Sequence, residues 1–210
     1  MKFLPHLLLL LLAPLSALAA APAPLKEGVD YTLIDKAGPF APLDGRIEVV
    51  EVFGYSCPHC AHFAPAFDAW AARQPKDVRV TLVPAAFGGP WDAWARAYLA
   101  ADELGIAKRS HADVFRAVHE TQALPLNPTP DELGTFYAGY GVSAARYVET
   151  LRGAKVEQRF NQARDFAVRT QVPGTPAIIV DGKYLVRGRD FDELLRNTDL
   201  LVARERAAHR

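Results

Sequence analysis

One stretch constrains the fold of this chain more than any other. From Val49 it runs Val-Val-Glu-Val-Phe-Gly-Tyr-Ser-Cys-Pro-His-Cys, ending at Cys60. Residues 47–53 are rich in β-branched and aromatic side chains and read as a buried strand. Gly54 and Ser56 break it. From Cys57 onward the pattern turns helical, with Phe63, Phe67 and Trp70 spaced by four and three. Pro58 fits the first turn of that helix, where a missing N–H does no harm. The sequence therefore places Cys57 at a helix N-terminus, just past the end of a strand.

A helix N-terminus presents unpaired backbone N–H groups and a partial positive charge. Both favour the thiolate of Cys57, so its pKa is expected to fall. His59, inside the motif, is expected to stabilise that thiolate further. Cys60 follows one turn later on the same face, close enough to Cys57 to form a disulfide. Cys57 and Cys60 are the only two cysteines. A disulfide closing so small a loop gains little chain entropy, so redox exchange or metal binding explains the pair better than stapling does. Zinc uses the same spacing but needs two further ligands, and no second cysteine pair exists. Among the histidines, His62 lies on the helix and His111 and His119 are eight apart, with no position relative to the cysteines given by the sequence. The reading is redox, with no metal ligands assigned. Glu51 is an acidic residue inside the apolar strand, six residues before Cys57. A buried carboxylate there is costly and tends to take up a proton; the alternative is a position facing an edge or a loop.

The 210 residues are 50% hydrophobic and carry 24 basic and 24 acidic side chains. That composition suits an ordinary globular core, and the absence of a basic excess gives no support to nucleic-acid binding. Residues 1–20 read as a cleavable signal peptide: Lys2, a leucine run from Leu7 to Leu12, and Ala17-Leu18-Ala19 as a small-x-small site. Cleavage falls after Ala19, Ala20 or Ala21; an uncleaved membrane anchor is the alternative. Export places the cysteines in a compartment that permits disulfides.

Beyond an Ala-Pro leader, Val29–Ile34 reads as a first strand, with Tyr31, Leu33 and Ile34 packing. The redox helix is expected to run to Gln74-Pro75, kinked by Pro65. Val78–Val83 reads as a second central strand. Strand, helix and strand form a βαβ unit. Helical patterns then fill about eighty residues: one opened by Pro90-Trp91, one over His111–Thr121, one capped by Thr129, a short one after Ser143, and Ala154–Arg169. The sheet resumes at Ala177-Ile178-Ile179-Val180. Asp181-Gly182 follows as a hairpin turn, then Lys183–Val186. A last helix spans Asp190–Ala203, with a solvated basic tail from Arg204. Trp70, Trp91 and Trp94 read as packing residues. The fold class is α/β: a thioredoxin-like fold with a helical insertion domain. Its parts are 21–88 as the first thioredoxin-like half, 89–170 as the insertion and 171–210 as the second half.

This order of elements and Cys57-Pro58-His59-Cys60 resemble the DsbA family of thioredoxin-fold oxidants, over nearly all of the chain after the signal. The resemblance implies that Cys57 is the exposed nucleophile and Cys60 the shielded, resolving thiol. It implies that Pro176 in Gly174-Thr175-Pro176-Ala177 is cis and faces the cysteines, with Thr175 and Pro176 meeting a substrate peptide. Glu51, at the same position in DsbA-like oxidants, becomes a proton donor or acceptor for Cys60. Thr175 departs from the valine of the best-known oxidants and also occurs in disulfide isomerases of this fold. The implied activity is periplasmic thiol:disulfide exchange that oxidises reduced exported client proteins. The implied partner is a DsbB-like membrane protein that re-oxidises the enzyme. The cysteine pair itself is the redox centre, without a further cofactor, and the chain acts as a monomer. A disulfide isomerase or reductase of the same fold is the near rival, and a non-catalytic peptide-binding chaperone the distant one.

Overall fold

The structure is a computed structural model and describes residues 24–35 and 38–208. The expected signal peptide 1–20, residues 21–23 and residues 209–210 of the tail lie outside the described residues. Five strands form one sheet: β1 (Tyr31–Leu33), β2 (Ile47–Phe53), β3 (Val78–Pro84), β4 (Ala177–Val180) and β5 (Tyr184–Val186). Their order is β1-β5-β4-β2-β3. β2 runs parallel to β3 and antiparallel to β4, while β4–β5 and β5–β1 are antiparallel. All seven residues of β2 are buried, as an apolar run between two neighbours requires. β3 is an edge strand, not the second central one that its apolar run suggested. Its middle residues are half-buried, because an edge strand has one open side.

Helix α1 (Pro58–Ala71) connects β2 to β3, and α7 (Phe191–Ala208) ends the fold. Together they cover one face of the sheet: Phe63, Phe67 and Trp70 of α1 and Leu194, Leu201 and Val202 of α7 pack with Ile47, Val49, Ile178 and Val180. Between β3 and β4 come α2 (Pro90–Glu103), α3 (Ala107–His119), α4 (Pro130–Ala138), α5 (Ala144–Leu151) and α6 (Ala154–Arg169). α6 closes the other face, its Ala163 and Phe166 meeting Val50, Val52 and Ile179. The remaining inserted helices share a cluster that reaches Phe53, Tyr55, Cys57 and Cys60. Among the described residues, no helix is long and apolar enough to cross a membrane.

Local chemistry explains the boundaries. α4 begins with a complete capping box, Thr129 and Glu132 satisfying each other's backbone N–H. α5 begins with Ser143 accepting from the Arg146 N–H. α1 ends at Ala71, earlier than its pattern suggested. The N–H groups of Arg73 and Gln74 bond the carbonyls of Trp70 and Ala71, a tightening into three-residue turns ahead of Pro75. Pro65 lies inside α1. α3 starts at Ala107, four residues before His111, because Gly105 at φ +69° ends α2 and the chain re-enters a helix at once. β1 is shorter than expected, and Leu33 points outward while Tyr31 and Ile34 are buried.

The basic tail is a helix end that is solvated at Arg204, Ala207 and Ala208 but not at Glu205 and Arg206. α7 continues to Ala208 because Glu205 is buried and takes Lys183 and the Tyr184 hydroxyl, while Arg206 pairs with Asp77 at 2.6 Å. The Asp181-Gly182 turn has both residues at positive φ (+50° and +63°), the conformation a tight hairpin between β4 and β5 demands. Gly182 also lies against another segment: a Cβ there would sit 1.8 Å from the Gly38 carbonyl oxygen. Gly182→Ala is therefore expected to lower the unfolding free energy by about 2 kcal/mol or more, read from urea denaturation. A loss below about 0.5 kcal/mol would show that the 38–40 segment yields freely.

Candidate active site

β2 ends at Phe53, and the Gly54–Cys57 turn, closed by the Cys57 N–H to the Gly54 carbonyl at 3.1 Å, hands the chain to α1. The ring of Trp91 lies so close over Gly54 that a Cβ there would meet it at 2.4 Å, so only glycine fits the turn. Cys57 is the N-cap of α1, in an extended conformation (φ −92°, ψ 116°), with Pro58 in the first turn. Its Sγ accepts the Cys60 N–H at 3.4 Å, so sulfur fills the place that serine or aspartate usually takes at a helix start. Both cysteines are free thiols here. Cys57 is 6% exposed and Cys60 fully buried. The expected exposed nucleophile is thus largely covered, yet it remains the more accessible of the two.

The electrostatics follow from this geometry. Cys57 is held down to about 5, first by the Cys60 thiol donating to it, then by Thr175 and the backbone N–H groups of Cys60 and His59, against the opposing effect of burial. Cys60 is pushed far up, by that same hydrogen bond and by burial. Pro58 and His59 are exposed; the part of His59 seen to act on the sulfur is its backbone amide.

The Thr175–Pro176 bond is cis. As a thiol, Cys57 donates to the Thr175 carbonyl at 3.4 Å. The Thr175 hydroxyl is buried and has no other partner among the described residues, which leaves it free to donate when the sulfur is ionised. Glu51 sits on β2 with 2% of its surface exposed, not at an edge. Burial raises its carboxyl to about 8, helped by the negative charges of Asp68 and Cys57. Asp68, Tyr98, Lys108 and His111 line a cavity of about 510 Å³ between α1, β3, α2 and α3.

Sequence reasoning did not anticipate Tyr55. It is 1% exposed, and its hydroxyl is hydrogen-bonded to His111 Nδ1 at 2.9 Å. His119 Nε2 donates to its carbonyl at 2.7 Å. The eight-residue spacing of the two histidines was visible; which residue they meet was not. Among the described residues, no group of three or more His, Cys, Asp or Glu is placed to hold a metal.

A strand-to-helix Cys-x-x-Cys with a capping, acidified first sulfur, facing a cis-proline loop, defines a thiol:disulfide oxidoreductase of thioredoxin architecture. The comparisons narrow this. The DSBA-like thioredoxin domain family matches residues 48–198, and the chain belongs to that family. The thiol:disulfide interchange protein DsbA of Azotobacter vinelandii is 34% identical over 90% of this chain and 88% of its own length. That of Pseudomonas aeruginosa is 32% identical over 95% of each. The crystal structure of oxidoreductase DsbA from Xylella fastidiosa superposes with a TM-score of 0.86 at 59% identity, covering 87% of this chain and 98% of the other.

The raised carboxyl of Glu51 has a signed consequence. A folded-state pKa of about 8 against 4.5 contributes stability that is fully present below about pH 4.5 and is lost as pH rises towards 8. Glu51→Gln removes that loss. It is expected to raise the unfolding free energy at pH 7 by up to about 3 kcal/mol, with no gain at pH 4. Denaturation at both pH values checks it; equal gains at each would place the effect in packing rather than ionisation.

Proposed function

We propose that this thiol:disulfide oxidoreductase is a periplasmic oxidase that introduces disulfides into exported proteins. It would be delivered by cleavage of signal peptide 1–20, act as a monomer, and be re-oxidised by a DsbB-like membrane protein. The proposed division is 21–88 and 171–210 as the thioredoxin-like halves around a helical domain at 89–170. The observation that carries the reading is the capping sulfur of Cys57, held as a thiolate to about pH 5. A sulfur so stabilised when reduced makes its disulfide eager to accept electrons.

In the oxidised enzyme a client thiolate attacks Cys57 Sγ. The client–Cys57 bond forms, the Cys57–Cys60 bond breaks, and the electron pair departs on Cys60. Buried Cys60 is a poor anion, so it takes a proton as it leaves; Glu51, protonated at pH 7, is the proposed donor. The client's second thiolate then attacks the client sulfur of the mixed disulfide. Cys57 leaves as the stable thiolate, the client holds a disulfide, and the enzyme is reduced by two electrons. Thr175 and Pro176 are proposed to meet the client backbone, and the His59 side chain to favour the anion at Cys57. Thr175 favours a second reading, a disulfide isomerase of the same fold.

Exchange variants test the roles. Cys57→Ser is expected to abolish client oxidation. Cys60→Ala is expected to accumulate client mixed disulfides on non-reducing gels, because the enzyme's own route of escape is gone. Retained activity in Cys57→Ser together with no trapped clients in Cys60→Ala would reverse the assignment.

Stability tests the direction of electron flow. The depressed Cys57 pKa contributes stability to the reduced form that is fully present above pH 9 and is lost as pH falls through about 5. At pH 7 it amounts to about 3 kcal/mol. The short disulfide loop returns about 2 kcal/mol to the oxidised form. The reduced protein should therefore be the more stable by about 1 kcal/mol at pH 7. The gap should widen towards pH 9 and close near pH 6. Urea unfolding with and without reductant measures it, and a clearly more stable oxidised form at pH 7 to 8 would favour the reductase.

A further inference from the structure

Besides packing on the redox turn, the helical insertion hydrogen-bonds one of its residues twice. Tyr55 is the second residue of the Gly54–Cys57 turn, two before the reactive sulfur. Its hydroxyl meets His111 Nδ1 at 2.9 Å, and its carbonyl accepts from His119 Nε2 at 2.7 Å. A carbonyl only accepts, so His119 must carry its proton on Nε2. Eight residues separate the histidines, about 12 Å along α3. Between them they hold both the side chain and the central peptide of the turn. The ring of Tyr55 is fixed as well, edge-on to Phe53, Trp94 and Phe115 at 5.2, 5.5 and 5.0 Å. The Tyr55–Ser56 peptide cannot rotate without breaking the His119 bond. That turn ends at Cys57, whose Sγ accepts the Cys60 N–H at 3.4 Å, so the shape of the turn bears on where the sulfur is seated.

We propose that His111 and His119 are positioning residues for thiol:disulfide exchange, clamping the Tyr55 turn so that Cys57 Sγ stays seated on the N-terminus of α1. Neither histidine is assigned contact with the reacting sulfurs. They act through Tyr55, and the clamp belongs to α3, so the insertion and not the thioredoxin half holds the turn. Burial holds His111 down to about 4, which keeps it neutral and leaves one ring nitrogen able to accept from the Tyr55 hydroxyl at any pH where exchange runs. A purely structural pair of histidines would alter stability alone. A positioning pair also alters the chemistry of a sulfur neither is proposed to touch.

The experiment uses the reduced full chain and follows Cys57 ionisation by thiolate absorbance against pH, together with the redox equilibrium against glutathione. His119→Leu, which removes the donor, is expected to raise the apparent thiol pKa by about one unit and to make the disulfide up to about tenfold easier to form. His119→Gln, whose amide N–H can reach the same carbonyl, should restore most of both values. Tyr55→Phe, which removes only a hydroxyl, should move them in the direction of His119→Leu by a smaller amount. A folded His119→Leu that titrates like the parent overturns the proposal, as does a His119→Gln as impaired as the leucine variant. If His119→Leu does not fold, Tyr55→Phe decides, and an unshifted titration there overturns the clamp. The inference rests on Cys57 being the reactive thiolate. A parent protein with an ordinary thiol pKa would end that reading, whereas a depressed parent value with unchanged variants ends the clamp alone.

Discussion

Everything at the redox centre depends on a sulfur occupying a helix cap. Cys57 Sγ accepts the N–H of Cys60, the third residue of α1, a bond normally made by an oxygen that ionises readily or not at all. Placing a thiol there converts an ordinary local need of the helix into control over reactivity. The cap is better satisfied by thiolate than by thiol, so the helix itself favours the reactive form. The rest of the fold serves that placement. β2 is buried along its whole length and brings the chain to one point. Glycine at position 54 admits Trp91 over the turn, and the inserted helices close round it.

The second sulfur completes the logic. One proton is shared between two thiols whose environments differ: Cys57 has the helix N–H groups, and Cys60 has burial. Coupled groups of this kind divide their protons as a pair. The proton rests on Cys60, and Cys60 donates to the Cys57 anion. Neither sulfur would behave this way alone. In the proposed exchange, access directs the client to Cys57 rather than fully buried Cys60, and the cap makes Cys57 the better leaving group of the second step.

Much of this was legible in the sequence because its signals are local. The strand before Cys57, Pro58 in the first turn, the Thr129 cap and the Asp181-Gly182 hairpin each follow from a few neighbouring residues. What escaped depends on contacts distant in sequence. β3 has the apolar pattern of an inner strand, and only the return of β4 on the far side of β2 makes it an edge. The C-terminal residues read as solvated because Glu205 and Arg206 find Lys183, Tyr184 and Asp77 only in three dimensions. Tyr55, His111 and His119 escaped for the same reason: 56 and 64 residues separate the partners, and no period in the sequence spans them.

Glu51 and Cys57 pull the protein in opposite directions with pH. Between about pH 5 and 8, rising pH favours folding through Cys57 and opposes it through Glu51. Their anions also repel, since the Cys57 charge helps raise Glu51. At neutral pH this repulsion is avoided by keeping the carboxyl protonated while the sulfur is ionised. Oxidation removes the sulfur charge, and with it one of the causes that raise Glu51. The acidity of the buried carboxyl is thereby tied to the redox state of the cysteine pair. The proton is held more tightly when Cys57 is an anion and released more readily when the disulfide forms. In the proposed exchange, this buried acid, which costs stability, sits where a proton would move with each pair of electrons.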